Sequence, residues 1–155
     1  MSKFIYTNAK DVPLEHIKEH EDFERYERNL IPEGHGEMSR LSIYEIPPGK
    51  SMCPYHYHTR SEEMFYILSG KGLLKTPTGK KEVKPGDFMF FPANHEGAHR
   101  LTNTCDTEML VYLDFGTKPD ADIVFYPDSK KVGVYGKGIK KLYIEEEDVE
   151  YYTGE

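Results

Sequence analysis

The pattern of apolar and polar positions changes near residue 41, where short runs of alternating character begin. Alternation with a period of two, rich in β-branched and aromatic residues, favours strands that bury one face. The runs are separated by turns that carry Gly, Pro or Asn. In chain order they are RLSIYEI, YHYH, EMFYILSG, GLLKT, KKEVKPGD, FMFFP, AHRLTN and EMLVYLDFG. Their regular spacing predicts an all-β, single-domain antiparallel sandwich or barrel.

The segments on either side of these runs are less regular. Residues 1–40 predict an N-terminal lead-in that packs on a barrel of residues 41–116, and VPLEHIKEHEDFERYERNLI within it predicts a short helix or turn. Residues 117–155 contain two further strand-like pieces and end in an acidic tail. We expect this C-terminal extension to cover an open sheet edge on its own chain or on a partner.

Two shorter patterns predict local detail within the barrel. TPTGKKEV is typical of a hairpin with Gly79 at its turn, and FMFF is apolar throughout, as a buried strand would be. We expect five side chains to build an apolar wall around a small-molecule site. They are Phe65, Ile67, Phe88, Phe90 and Leu101.

The first group of residues that could carry chemistry is PYHYHTRSEEMFYILSG. His56 and His58 are separated by one residue, so a strand would direct both imidazoles to the same face. The following strand alternates so that Glu63 shares its inward face with Phe65, whereas Glu62 is expected at the rim or in solvent. Two neutral imidazoles and a carboxylate suit a divalent transition ion. An isolated HxH pair is otherwise a surface feature of an exposed strand.

The second group lies in PGDFMFFPANHEGAHRLTN. His99 opens a run in which His99, Leu101 and Asn103 share a face, so His99 is the candidate for a third inward imidazole. His95 lies in the preceding loop and is the alternative. The residues alone thus predict a site of His56, His58 and Glu63 with either His99 or His95, and strand placement favours His99.

Composition narrows the class of protein. The chain has 155 residues and a net charge of −7, which argues against a nucleic-acid-binding surface. Its two cysteines lack CxxC spacing, which disfavours both a disulfide framework and a zinc knuckle. The N-terminal residues lack the apolar core of a signal peptide, and no stretch reaches the roughly 20 apolar residues of a membrane span. These features predict a cytoplasmic protein.

Taken together, the two groups resemble the two sequence motifs of the cupin superfamily. The first motif is matched by Gly49, His56, His58, Glu63 and Gly70, and the second by Gly86, Pro92, Gly97, His99 and Asn103. The spacing differs from the usual motif in two loops. Six residues separate Gly49 from His56 where five are usual, and six separate Pro92 from His99 where four are usual.

The resemblance, closest to small single-domain bacterial cupins, implies several further expectations. It implies a jelly-roll barrel of two sheets (a double-stranded β-helix) and one divalent transition metal per chain, held by His56, His58, Glu63 and His99. The ligand types do not choose among Mn, Fe, Co, Ni and Zn. The resemblance also implies a homodimer.

Function follows less directly from the residues. One hypothesis is a metal-dependent isomerase, dioxygenase or decarboxylase acting on a small oxygen-rich metabolite, such as a sugar phosphate or a carboxylate. The alternative is a non-catalytic module that binds or senses a small molecule. The sequence identifies no catalytic acid or base. Possible pocket residues are Tyr44, Tyr57, Tyr66, Tyr112, Arg60 and His95.

Overall fold

The structure is a computed structural model that describes residues 4–32, 34–145 and 148–154. Within these ranges the chain forms thirteen strands and three short 3-10 turns, so the predicted all-β fold is confirmed. The strands are β1 (Glu15–Lys18), β2 (Glu24–Asn29), β3 (Ser39–Ile46), β4 (Tyr57–His58), β5 (Glu63–Ser69), β6 (Gly72–Thr76), β7 (Gly79–Val83), β8 (Phe88–Phe91), β9 (Arg100–Asn103), β10 (Leu110–Thr117), β11 (Ala121–Tyr126), β12 (Lys131–Gly136) and β13 (Ile139–Ile144).

A six-stranded antiparallel sheet forms one side of the molecule, in the order β1-β2-β3-β10-β5-β8. Its centre is β10, which pairs with β3 along its whole length and with β5 on the other side. Burial alternates strictly along β10, with Leu110, Tyr112, Asp114 and Gly116 on the inner face. The sheet therefore presents one inward row per strand, as the period-two pattern predicts.

Two smaller sheets complete the architecture. One has the order β13-β12-β11-β4 and the other has the order β7-β6-β9. The predicted hairpin is confirmed, since β6 and β7 pair with Thr76 opposite Gly79. Gly79 opens β7 with a φ of 124°, a conformation that L side chains rarely adopt.

The buried core joins the inner face of the six-stranded sheet to the β7-β6-β9 sheet. It contains aliphatic and aromatic side chains from both, and Met52 and Met89 pack against it. Its buried members are Tyr44, Ile46, Phe65, Ile67, Leu74, Val83, Phe91, Leu101, Leu110 and Tyr112. Because this core fills one end of the barrel, polar side chains can occupy the other end.

The helix or turn predicted in the lead-in is wrong. Residues 15–18 and 24–29 are instead strands β1 and β2, and β2 pairs with β3 at the edge of the large sheet. In β2 Glu27 is buried and accepts a 2.8 Å bond from Arg25 Nε. Pairing with an existing sheet edge thus outweighs the weak local helical pattern. The boundaries at 40/41 and 116/117 stay a prediction.

The C-terminal extension contains three strands rather than the predicted two. The third, β13, is IKKLYI, whose lysines hide its strand character in the sequence. It pairs along its length with β12, while β11 pairs with β4 and so attaches the extension to the histidine-bearing strand. Part of the predicted acidic tail lies outside the described residues.

The prediction that Phe88 and Phe90 line the barrel is wrong. The two side chains are 63% and 48% exposed, and the pairing with β5 sets Met89 and Phe91 on the inner face instead. The sequence could not reveal this register because FMFF is apolar at every position. The other three predicted wall residues, Phe65, Ile67 and Leu101, are buried.

Candidate metal centre

The three candidate histidines lie on neighbouring backbone segments. His56 precedes β4 and bonds through its backbone to His99, with N···O distances of 3.1 and 2.9 Å in the two directions. His58 is the second residue of β4. Residues 41 positions apart along the chain, His58 and His99, are thereby brought to one end of the barrel.

Glu63 opens β5 and directs its carboxylate toward these imidazoles. Its Oε2 lies 3.6 Å from His56 Nε2, 3.3 Å from His58 Nε2 and 3.4 Å from His99 Nε2. Glu63 shares the buried face of β5 with Phe65 and Ile67, as the alternation predicts. The structure thus brings together all four side chains that the sequence singled out.

In each of the three imidazoles, the Nδ1 atom, which faces away from Glu63, lies in hydrogen-bond distance of an oxygen atom. His56 Nδ1 lies 2.9 Å from Pro54 O, His99 Nδ1 lies 2.8 Å from Gly97 O, and His58 Nδ1 lies 2.5 Å from Asp122 Oδ2. An Nδ1–H that donates to these oxygens leaves the lone pair on Nε2, the nitrogen that faces Glu63. This second layer of contacts is typical of histidines that bind a metal.

Gly97 has a specific role in this arrangement. A Cβ at this position would lie 2.1 Å from Pro92 O, so the loop before His99 closes only with glycine. The same residue supplies the carbonyl that holds His99 Nδ1.

The donor set fits a metal ion. Ligand atoms of His56, His58 and Glu63 all lie within 4.8 Å of one another. His99 falls outside that group of three, although its Nε2 faces the same carboxylate oxygen. Within the described chain, Glu63 Oε2 and His99 Nε2 are buried without a hydrogen-bond partner. Because unpaired buried polar atoms are costly, the cluster has the chemistry of a site that binds a cation.

The pKa shifts favour the metal-binding forms of His99 and Glu63. The pKa values of His56 and His58 are raised, because contacts with Cys53, Asp122 and Glu63 outweigh burial, so an ion must displace protons from these two imidazoles. Burial, followed by repulsion from His56, lowers the pKa of His99 to about 3, so this imidazole is neutral. Burial raises the pKa of Glu63, but the neighbouring imidazoles of His56 and His58 outweigh it and hold the pKa well below its usual range. Glu63 is therefore an ionised carboxylate, the form that binds metals.

Arg40 connects this carboxylate to a second buried acid. One of its terminal amino groups donates to Glu63 Oε1, and the other lies 2.8 Å from Asp114 Oδ2. Burial, only partly offset by Arg40, raises the pKa of Asp114 to about 6. The Asp114 carboxyl group therefore holds its proton to a higher pH than an ordinary aspartate does.

A cavity of about 600 Å³ opens beside His56 and His58. It is large enough for a small metabolite. The large sheet and the C-terminal extension form its walls. In the extension, the Tyr126 ring stacks on His56, and the hydroxyl groups of Tyr126 and Tyr135 lie 3.0 Å apart. Other lining residues are Arg40, Tyr44, Cys53, Asp114 and Asp122.

The alternative histidine and most other predicted pocket residues lie elsewhere. The His95 side chain is 75% exposed and lies 3.1 Å from Glu96. Tyr66 is on the outer face, and Tyr57 stacks on Phe125. Of the predicted tyrosines, Tyr44 lines the cavity.

Sequence reasoning missed Arg40, Asp114 and Asp122. Asp114 had a readable signal, since an acidic residue at an inward position of the alternating strand LVYLDFG must be buried. Arg40 and Asp122 had none. Their roles depend on contacts across 23 and 64 residues of sequence, which periodicity does not report.

Comparison with known proteins agrees with this architecture. The model of the Cupin domain family matches residues 42–116. The crystal structure of an inferred sugar phosphate isomerase from Acidithiobacillus ferrooxidans is 31% identical, with a TM-score of 0.80, and the match covers 87% of this chain and 86% of that one. The chain therefore belongs to the cupin superfamily.

Two further similarities add less, one because its identity is low and the other because it covers a short stretch. A sugar phosphate isomerase of the cupin superfamily from Silicibacter pomeroyi has a TM-score of 0.81 over 91% of this chain and 93% of that one, and its 18% identity shows the fold alone. An uncharacterised protein of Methanocaldococcus jannaschii is 40% identical over 58 residues, which is 37% of this chain and 45% of that protein.

Proposed function

We propose that the chain is a metal-dependent enzyme that acts on a small oxygen-rich metabolite. One divalent transition ion per chain would be held by His56, His58, Glu63 and His99. The observation that carries the proposal is the convergence of three imidazole Nε2 atoms on a buried carboxylate oxygen beside a cavity. Such an ion, when bound, supplies Lewis-acid polarisation of a ligand oxygen.

The protein's own residues divide the remaining tasks. Arg40 fixes the orientation of Glu63 through its other oxygen. Tyr126 and Tyr135 cover one side of the cavity and limit the access of water. Asp114 is our candidate for the group that accepts a proton from the substrate, because it lines the cavity and its Oδ1 lacks a hydrogen-bond partner among the described residues.

Among the expected reaction classes, isomerisation is the first to test. The similarity to the inferred isomerase of Acidithiobacillus ferrooxidans supports this choice over decarboxylation and dioxygen chemistry. An isomerase that moves a proton next to a carbonyl group incorporates deuterium when it works in D₂O. We expect the Mn- or Fe-loaded protein to give this exchange in proton NMR with at least one aldose, ketose or their phosphates, and Asp114→Asn to lose it.

The outcomes of this screen separate the two functional classes. Loss of exchange in Asp114→Asn with unchanged metal content would support the assigned role of Asp114. A compound that binds the loaded protein tightly, with no conversion and no deuterium exchange, would favour the non-catalytic binding or sensing function instead.

His99 as the fourth ligand is part of the proposal. His99→Ala should lower the metal affinity by at least about tenfold because it removes an imidazole that faces Glu63. His95→Ala is the matched control, since that side chain is exposed in the same loop region. Equal affinities of the two variants would remove His99 from the ligand set.

We also propose that two copies of the chain pair through the outer face of the six-stranded sheet. Phe88, Phe90, Tyr66 and Leu68 are all more than two-fifths exposed there. The register continues this apolar surface across β10 to β3, through pairs such as Tyr66 with Leu113. Contiguous apolar surface of this extent typically marks an interface, and a flat sheet face can pack on a copy of itself about a two-fold axis.

Sedimentation velocity tests this dimer. The wild-type protein should sediment as a dimer at micromolar concentration, and Phe88→Ser/Phe90→Ser should shift it to the monomer. Leu142→Ser is the control, because Leu142 is 52% exposed on β13, in a different sheet. A wild-type monomer would refute the pairing.

Two expectations from the sequence stay predictions. No helix among the described residues is long and apolar enough to cross a membrane. The cytoplasmic location and the absence of nucleic-acid binding rest on the sequence alone.

A further inference from the structure

The charges around the cavity limit what its ligand can be, if the proposed function holds. Arg40 is the one Lys or Arg side chain among the described residues that line the cavity. The acidic side chains there are more numerous. They are Glu19, Asp114, Asp120 and Asp122.

Arg40 is not free to bind an anionic ligand. Its two terminal amino groups already face the carboxylates of Glu63 and Asp114. An arginine that recognises phosphate or carboxylate normally presents both amino groups to the ligand. A phosphate in this cavity would have to compete with two buried carboxylates for the same guanidinium.

Asp122 adds negative charge without offering an acceptor to the ligand. Its Oδ2 is held by His58, and its Oδ1 accepts from the backbone N–H groups of Thr59 and Arg60 at 3.1 and 2.9 Å. Its contribution to ligand choice is therefore repulsion of anions.

Asp114 is different, because it is fully buried and still has acceptor capacity. Its Oδ1 has no hydrogen-bond partner within the described chain, whereas its Oδ2 lies 2.8 Å from Arg40. A buried carboxylate with free lone pairs requires a donor, and a hydroxyl group is the neutral donor that a small metabolite offers.

The overall balance stays negative even with an ion in place. Five carboxylates, including Glu63, face the single charge of Arg40 and the two charges of a divalent ion. Glu19 and Asp120 are exposed at the mouth and are partly screened by salt. Arg40 and the ion balance the three inner acids, Glu63, Asp114 and Asp122, so the excess negative charge lies at the mouth of the cavity.

We infer that the site takes an uncharged polyhydroxy compound, with a hydroxyl group donating to Asp114, and discriminates against phosphorylated or carboxylated analogues. This inference replaces the sugar phosphate expected from the sequence with a neutral sugar or polyol. It concerns the charge of the ligand and leaves the class of reaction unchanged.

Isothermal titration calorimetry on the metal-loaded protein tests this inference without requiring turnover. The probes are matched pairs: D-fructose and D-fructose 6-phosphate, D-xylose and D-xylose 5-phosphate, and inositol and inositol 1-phosphate. In low salt, at least one neutral member should bind roughly tenfold or more tightly than its phosphate. Salt should reduce this ratio, because screening weakens charge repulsion but not a steric clash.

A substitution tests whether Asp114 causes this discrimination. Asp114→Asn should weaken binding of the neutral ligand and strengthen binding of its phosphate, which lowers the ratio of the two affinities severalfold. Asp128→Asn, at an exposed site paired with Lys75, should leave the ratio unchanged.

Tighter binding of any phosphate than of its neutral partner would overturn the inference, and so would failure of every neutral probe to bind. Metal content and deuterium exchange report on the proposed function separately. A protein that isomerises a sugar phosphate would thus refute the charge argument while supporting the enzyme.

Discussion

Removal of the Asp122 carboxylate should weaken metal binding, although Asp122 is not a ligand. Asp122 Oδ2 lies 2.5 Å from His58 Nδ1, and the side chain is 11% exposed. The bond orients the imidazole, fixes the proton on Nδ1 and makes Nε2 a stronger donor to an ion. In Asp122→Ala all three effects are lost together.

The magnitude follows from the geometry. Loss of such an outer partner typically lowers metal affinity by about 10- to 100-fold, or about 1.4–2.7 kcal/mol. We expect the upper half of this range because the contact is short, involves a charge and is largely shielded from water. Asp122→Asn, which keeps an acceptor oxygen but not the charge, should lie between the wild type and Asp122→Ala.

Competition with a chelating indicator measures these affinities for Mn²⁺ and Zn²⁺ on variants whose circular dichroism matches the wild type. Asp128→Ala is the control, since its carboxylate pairs with Lys75 at 2.6 Å at an exposed site. An Asp122→Ala affinity within about threefold of the wild type would refute the assigned role.

Three further predictions address stability and the loop before the site. Arg40→Met should destabilise the fold by about 3–5 kcal/mol in urea unfolding, more than Arg40→Lys, because it leaves Glu63 and Asp114 buried without a counter-charge. The raised pKa of Asp114, about 6, means that its stabilising contribution is present below its unfolded pKa near 4 and is lost as the pH rises through 6. Between pH 5 and 7.5 the wild type should therefore lose about 1 kcal/mol more stability than Asp114→Asn, and equal pH profiles would contradict the assignment. Gly97→Ala should destabilise by about 2 kcal/mol or more and weaken metal binding, since the new Cβ meets Pro92 O; thermal unfolding with and without Mn²⁺ measures both effects.

The sequence was most informative where one face of a strand is polar or where chemistry is local. Alternation favours inner faces for Glu63 and His99, and the single residue between His56 and His58 predicts that both imidazoles share one face of a strand. These predictions succeed because side-chain direction in a strand has a period of two.

Prediction failed where the period is hidden or where contacts are long-range. FMFF has no polar residue to mark its outer face, so Phe88 and Phe90 were assigned to the interior. Strand β13 was not predicted because it is exposed and its lysines mask the strand pattern. Strand β2 was not predicted because it forms by pairing with the edge of β3, a long-range contact. Asp122 contacts His58 because β11 pairs with β4, and the sequence of neither strand predicts this pairing.

The metal content of the purified protein tests the central proposal most directly. Protein made without a nickel column, loaded with Mn²⁺ and dialysed, should contain about one ion per chain by mass spectrometry. Glu63→Gln should lose most of this metal, whereas Glu62→Gln, at the neighbouring and less buried position, should retain it. Wild-type protein without metal, or equal metal in wild type and Glu63→Gln, would contradict the proposed site.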